Sequence, residues 1–221
     1  MKKSAANIFV FIFIALSILT TAGNNSTIFG ITKSLLMPAL MLFLFFSPIT
    51  SQGKAIIIAG LIFSWMGDVL LLFESRHPLF FIGGLVSFLT THIFYIIYFL
   101  KIRSPQTSLI RNQPWLAALV AAYGVSLVLF LSPHLGEMKL PVMLYAAVIC
   151  TMVICSLHVF TKTNSPANIL FVAGAVLFAA SDSLLAVNKF YKPFASAGML
   201  IILTYCAAQL LIVLGVTKRK V

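Results

Sequence analysis

Apolar residues run along this chain in eight long stretches separated by short polar punctuation. The stretches cover roughly residues 6–22, 32–47, 55–73, 79–100, 115–132, 140–160, 167–187 and 195–216. Each is long enough, or nearly so, to cross a hydrocarbon core of about 30 Å as a helix. The connectors GNNST, SPITSQG, ESRHP, SPHLGE, TKTNSP and NKFYKP carry turn chemistry. Pro38 is expected to kink the second helix, and Pro141 to open the sixth. The pattern predicts an all-α, polytopic membrane helix bundle of about eight transmembrane helices. Residues 1–221 form a single integral membrane domain in this reading.

Composition narrows the class. The chain is 61% hydrophobic and 9% charged, which excludes a soluble domain of 221 residues. Its net charge of +11 does not imply nucleic acid, because the basic residues are scattered in short loops and at the termini. Eight spans place both termini on one side. That side would hold ten Lys and Arg residues against five on the other, so both termini are expected to be cytoplasmic, in a bacterial inner membrane. Lys2 and Lys3 before an apolar stretch, with small residues near Ala22, have the outline of a signal peptide. A retained first helix is the preferred reading, since the rest of the chain is membrane too. Cys150, Cys155 and Cys206 all fall in apolar stretches without a CxxC and read as small core residues.

Two acids interrupt this apolar pattern. Asp68 lies in GLIFSWMGDVLLLF and Asp182 in GAVLFAASDSLLAV, whereas Glu74 and Glu137 fall in loops. A carboxylate in hydrocarbon costs roughly 2.5–3.5 kcal/mol on insertion scales. Two such costs in one small protein suggest a shared task. A shift of 114 residues superimposes Asp68 on Asp182, Gly60 on Gly174, Gly84 on Gly198 and Thr90 on Thr204. The register suggests two parallel four-helix repeats, 1–104 and 105–221, related by an axis along the membrane normal. Asp68 and Asp182 would then face each other at similar depth. Low dielectric and mutual repulsion would leave one acid and one carboxylate, an arrangement suited to general acid–base chemistry. The competing structural reading bonds each aspartate to a nearby Ser, Tyr or Lys to fix helix packing.

Other polar residues supply candidates around the acids. Lys33 opens the second stretch, either as an interfacial anchor or as a partner for an aspartate or a phosphate headgroup. Lys189, Lys192 and Arg76 follow the acids in loops and could form a phosphate-binding rim. His92 lies within the fourth stretch, with Tyr95 three residues on. Tyr205 and Gln209 are four apart and share a helix face, where an amide should turn inward and find a partner. No HxxxH or HExxH occurs, so no metal site is expected. GxSxG, Walker and GxGxxG signatures are absent as well.

Taken together, these residues resemble the YhhN-type membrane family, whose animal members are lysoplasmalogenases. The resemblance rests on Lys33 with Met37-Pro38, on Gly67-Asp68 followed by Leu70-Leu71, and on Gly84, Phe88, His92 and Tyr95. It is strongest in GAVLFAASDSLLAVNKF and in Tyr205, Ala208, Gln209 and Gly215. Ser34 stands where that pattern has proline. The resemblance implies hydrolysis of the vinyl ether bond of lysoplasmalogens, with no cofactor. Asp68 and Asp182 would be the catalytic acid/base pair. Lys33, His92, Tyr95, Tyr205, Gln209 and Lys189 would bind the lysophospholipid substrate. Membrane lipids would be the other partners, with no nucleic acid.

Two other classes share these features. Paired intramembrane acids in parallel repeats also describe proton-coupled carriers. The stretches AIIIAGLIF and ILFVAG at the far ends of the acid-bearing helices are apolar, which favours a one-sided pocket over a through path. A non-catalytic lysolipid-binding protein would bind the lipid and form no product.

Overall fold

The computed structural model describes residues 13, 26–47, 53–103, 108–160 and 165–219. The helices are α1 (Ser26–Phe46), α2 (Lys54–Leu72), α3 (Pro78–Ile102), the short α4 (Leu109–Asn112), α5 (Trp115–Leu131), α6 (Lys139–Val159), α7 (Pro166–Ala186) and α8 (Ala197–Lys218). Among the described residues, seven helices are long and apolar enough to cross a membrane. The expected stretch 6–22 lies outside the described residues apart from Phe13.

The helix boundaries follow local chemistry. Gly53 precedes α2 with φ 107°, a backbone conformation that a side chain would strain. Pro166 opens α7 directly after Ser165, where its missing N–H is no loss. Beyond α7 the chain does not break at 187 as the loop chemistry suggests. It continues as a π-turn over Val187–Tyr191, closed by the Lys192 N–H on the Val187 carbonyl at 3.1 Å. The connector between the stretches 79–100 and 115–132 contains α4, whose first turn is capped when the Arg111 N–H donates to Ser108 Oγ at 3.3 Å.

α1 departs most from the sequence reading. It begins at Ser26 and runs through Pro38 to Phe46. Lys33 therefore lies two turns inside the helix and not at its mouth. Pro38 has no N–H to offer the Ser34 carbonyl one turn back. The Trp65 indole N–H on α2 donates to that carbonyl at 3.0 Å. A backbone acceptor freed in hydrocarbon is thereby satisfied by a neighbouring helix, which is how membrane helices tolerate proline.

The chain forms two compact units, Met1–Tyr95 with Lys220–Val221, and Ile96–Arg219. Their border falls within α3. In the first unit α2 and α3 approach closely through small residues. A Cβ on Gly60 would lie 2.6 Å from the Tyr95 ring, and one on Gly67 2.8 Å from the Phe88 ring. Thr91 Oγ1 donates to the Gly60 carbonyl at 3.1 Å across the same seam. In the second unit Tyr98, Phe99 and Phe171 form an edge-on aromatic cluster with centroids 5.5–6.0 Å apart. At its edge the Arg219 guanidinium donates to the Ile102 carbonyl at 3.1 Å. α7 and α8 meet at Gly174, where a Cβ would stand 2.9 Å from the Ala208 carbonyl oxygen.

Candidate functional site

Each aspartate sits about one turn before its helix ends, at Leu72 for α2 and Ala186 for α7. That shared place within the helix comes from sequence. Their surroundings differ.

Asp68, in the first unit, is 1% exposed. Lys33 Nζ on α1 approaches its Oδ1 to 3.6 Å, and the lysine side chain is itself only 13% exposed. The inward placement of Lys33 makes this contact possible. Ion pairing compensates a charge that hydrocarbon would otherwise penalise. Gly67, the preceding residue, lets the Phe88 ring cover the helix beside the carboxylate. His92 and Tyr95 belong to the same unit. Both are fully buried on α3, and Tyr95 fills the notch over Gly60.

Asp182, in the second unit, meets a phenol. Tyr145 on α6 donates its hydroxyl to Asp182 Oδ2 at 2.6 Å, a short charge-assisted contact when the acid is ionised. Beside it the Tyr123 hydroxyl on α5 donates to Ser183 Oγ at 2.7 Å, and the Ser183 hydroxyl donates to the Ala179 carbonyl at 2.7 Å. The acid and its neighbours line a small chamber of about 40 Å³, walled otherwise by Leu127, Leu131, Val142 and Ala186. Tyr205 on α8 packs edge-on against Phe178, one turn before Asp182, with centroids 5.5 Å apart. Gln209, on the same face of α8, is fully buried. Lys189 lies on the π-turn beyond Asp182 and is exposed.

The structure thus brings Lys33 to Asp68 and sets Tyr205 beside the acid-bearing helix of the second unit. It also adds three residues that the sequence reading did not single out: Tyr145, Tyr123 and Ser183. The available signal for Tyr145 is depth. It lies nearly two turns inside α6, deeper than a tyrosine serving an interfacial belt. Among the described residues no group of three or more His, Cys, Asp and Glu side chains comes together to hold a metal ion.

The YhhN family model matches residues 28–216, from near the start of α1 to the last turn of α8. Curated relatives carry one activity in their names. Lysoplasmalogenase TMEM86B of Homo sapiens is 31% identical over 173 residues, covering 77% of this chain and 68% of its own length. Lysoplasmalogenase TMEM86A of Bos taurus is 29% identical over 177 residues, covering 78% and 69%. A lysoplasmalogenase of Mycobacterium bovis is 33% identical over 138 residues, covering 61% and 50%. No solved structure matches. With nearly every described helix inside the matched span, both acids included, the chain belongs to the YhhN family.

Proposed function

We propose that this protein is a lysoplasmalogenase, a membrane hydrolase that cleaves the vinyl ether bond of lysoplasmalogens to a fatty aldehyde and a glycerophosphocholine or glycerophosphoethanolamine. The carrying observation is the Asp182 carboxyl group held at 2.6 Å by Tyr145 at the edge of an apolar chamber. The names of the relatives support the same activity.

The chemistry suits carboxyl groups. A vinyl ether resists base and yields to acid. A carboxylic acid delivers a proton to the vinyl carbon farther from oxygen, and the nearer carbon becomes an oxocarbenium ion. A carboxylate stabilises that cation and steers water to it. The resulting hemiacetal collapses, the ether oxygen leaves as the glycerol hydroxyl, and the aldehyde departs. One water is consumed, and the proton spent at the start is returned. Asp68 and Asp182 serve as the acid/base pair. Tyr145 orients Asp182. Lys33, His92, Tyr95, Tyr205, Gln209 and Lys189 contribute to holding the lysolipid. Both termini face the cytoplasm, a placement supported by the excess of Lys and Arg on that side.

The test is aldehyde release by purified protein from a lysoplasmalogen, beside its saturated ether analogue. Wild type should release aldehyde from the vinyl ether only. Asp68→Asn and Asp182→Asn should each abolish release while melting as folded proteins. Near-normal activity in either variant would overturn the acid pair.

A further inference from the structure

Beside the Asp182 chamber, α5, α6 and α7 leave a second and larger space. It is a trough of about 720 Å³, walled by Leu119, Val120, Ala122, Val153, Val176 and Ala180. Three alanines, Ala122, Ala179 and Ala180, make the room. Tyr123, Cys150 and Ala179 are walls of both spaces, so the trough and the chamber adjoin. Leu119 and Val176 stand 60% and 49% exposed, so the trough opens sideways from the helices.

Its few polar groups already have partners. The Ser126 hydroxyl donates to the Tyr123 carbonyl at 2.8 Å, and the Cys150 thiol donates to the Val120 carbonyl at 3.6 Å. The Tyr123 hydroxyl is engaged by Ser183. What faces an occupant is hydrocarbon, so a polar solute has nothing to bind there and an alkyl chain does.

The order of surfaces along the helices gives the occupant a direction. Three helices agree on it. α5 passes from Leu119 in the trough to Leu131 in the chamber, and α7 from Val176 to Ala186. α6 runs the opposite way, from Val153 in the trough back to Val142 in the chamber. Beyond the chamber, α7 leads into the π-turn with the exposed Lys189, followed by the exposed Lys192. Read in one direction, the surfaces are hydrocarbon, carboxyl with phenol, then, past the apolar cluster of Leu131, Leu135 and Val142, cation. A single-chain alkenyl phospholipid has its chain, its labile bond and its phosphate in that order.

We propose that this trough seats the alkenyl chain of the substrate. The chain lies against α5, α6 and α7 with its vinyl ether at Asp182 and its headgroup toward the Val187–Tyr191 turn. The assignment rests on the hydrolase reading given above and adds the place and polarity of the chain. From Val176 to Asp182 the helix rises only about 9 Å, well short of the roughly 15 Å of one leaflet. The trough therefore grips the part of the chain next to the labile bond and leaves the tail end in lipid. Lipid is as apolar as the trough, so the gain is in orientation of the reacting bond and not in affinity.

Two measurements test this. The first compares aldehyde release from a long-chain lysoplasmalogen with release from a propenyl analogue, whose chain ends at the labile bond and does not reach the trough. In Ala180→Phe and Ala122→Phe, which fill the trough from different helices, the long-to-short rate ratio should fall by about tenfold or more. An unchanged ratio in active variants overturns the proposal and leaves the hydrolase reading standing. The second needs no turnover. A saturated lysophosphatidylcholine with a photoreactive diazirine near the start of its chain is crosslinked to wild type. Labels on Val153, Val176 or Leu119, lost in Ala180→Phe, support the trough. Labels on Val125, Met143 and Ala147, which line a separate space of about 420 Å³ between α5 and α6 that also adjoins the chamber at Gly124, Val128, Ala146 and Cys150, or scattered evenly over the helices, overturn it. If wild type releases no aldehyde from any vinyl ether, the hydrolase reading fails, and the crosslink still decides where a lysolipid chain sits.

Discussion

The two aspartates each sit one turn from the end of a helix and solve the problem of a carboxyl group in hydrocarbon differently. Around Asp68 the solution is charge and close packing. A lysine side chain reaches its carboxylate, Gly67 admits the Phe88 ring beside it, and the residue is nearly sealed. Around Asp182 the solution is a phenol and open space. Tyr145 holds one carboxyl oxygen, and the neighbouring chamber and trough are unfilled by protein. An ion pair holds an acid as a fixed anion beside a fixed cation. A phenol can donate to a carboxylate and can accept from a carboxylic acid, so it suits a group whose proton comes and goes. The difference teaches that equal spacing in sequence does not mean equal surroundings.

The comparison can be broken most sharply at the ion pair. Lys33→Met leaves the Asp68 carboxylate buried without its cation and should cost about 3–5 kcal/mol. The loss should appear as a lower melting temperature in detergent, and Lys33→Met with Asp68→Leu should recover most of it. Tyr145→Phe keeps the ring and removes the hydroxyl. It should slow turnover about 10- to 100-fold through misorientation of Asp182, with KM little changed. A rise in KM alone would make Tyr145 a binding residue.

Smaller effects sharpen the contrast. Gly67 and Ser181 immediately precede the two acids. Gly67→Ala drives a methyl into the Phe88 ring at 2.8 Å and should destabilise by about 1–3 kcal/mol. Ser181→Ala only removes a hydroxyl that donates to the Ile201 carbonyl at 3.0 Å. Its cost should be about 0.6 kcal/mol, a typical value for such bonds between membrane helices. Equal melting shifts for the two variants would erase the distinction between a packed and a loosely supported acid. Tyr123→Phe, which removes the bond to Ser183, should cost about as little as Ser181→Ala.

Much of this architecture is written in hydropathy alone. The edges of α2, α5 and α6 fall within two residues of the apolar stretches 55–73, 115–132 and 140–160. Both acids stand out because carboxylates in such stretches are costly, and Lys33 was a candidate partner for the same reason. α1 starts earlier than the apolar pattern predicts because GNNST looks like a turn, yet its last two residues already belong to the helix. Tyr145 is not legible in the sequence because helical periodicity assigns a residue to a face without saying which helix the face meets. Its partner lies 37 residues away. The trough was invisible for a similar reason. Alanine reads as generic apolar filler, and only packing reveals that Ala122, Ala179 and Ala180 leave a space where larger side chains would close it.

The sideways opening of that trough, with Leu119 and Val176 facing outward, changes the unit in which substrate should be counted. A chain entering between α5 and α7 arrives from the surrounding lipid by diffusion in two dimensions. What the protein senses is then the mole fraction of lysolipid in the bilayer or micelle, and not its molar concentration in the tube. Adding inert detergent at constant total substrate should slow the reaction, and adding water should not.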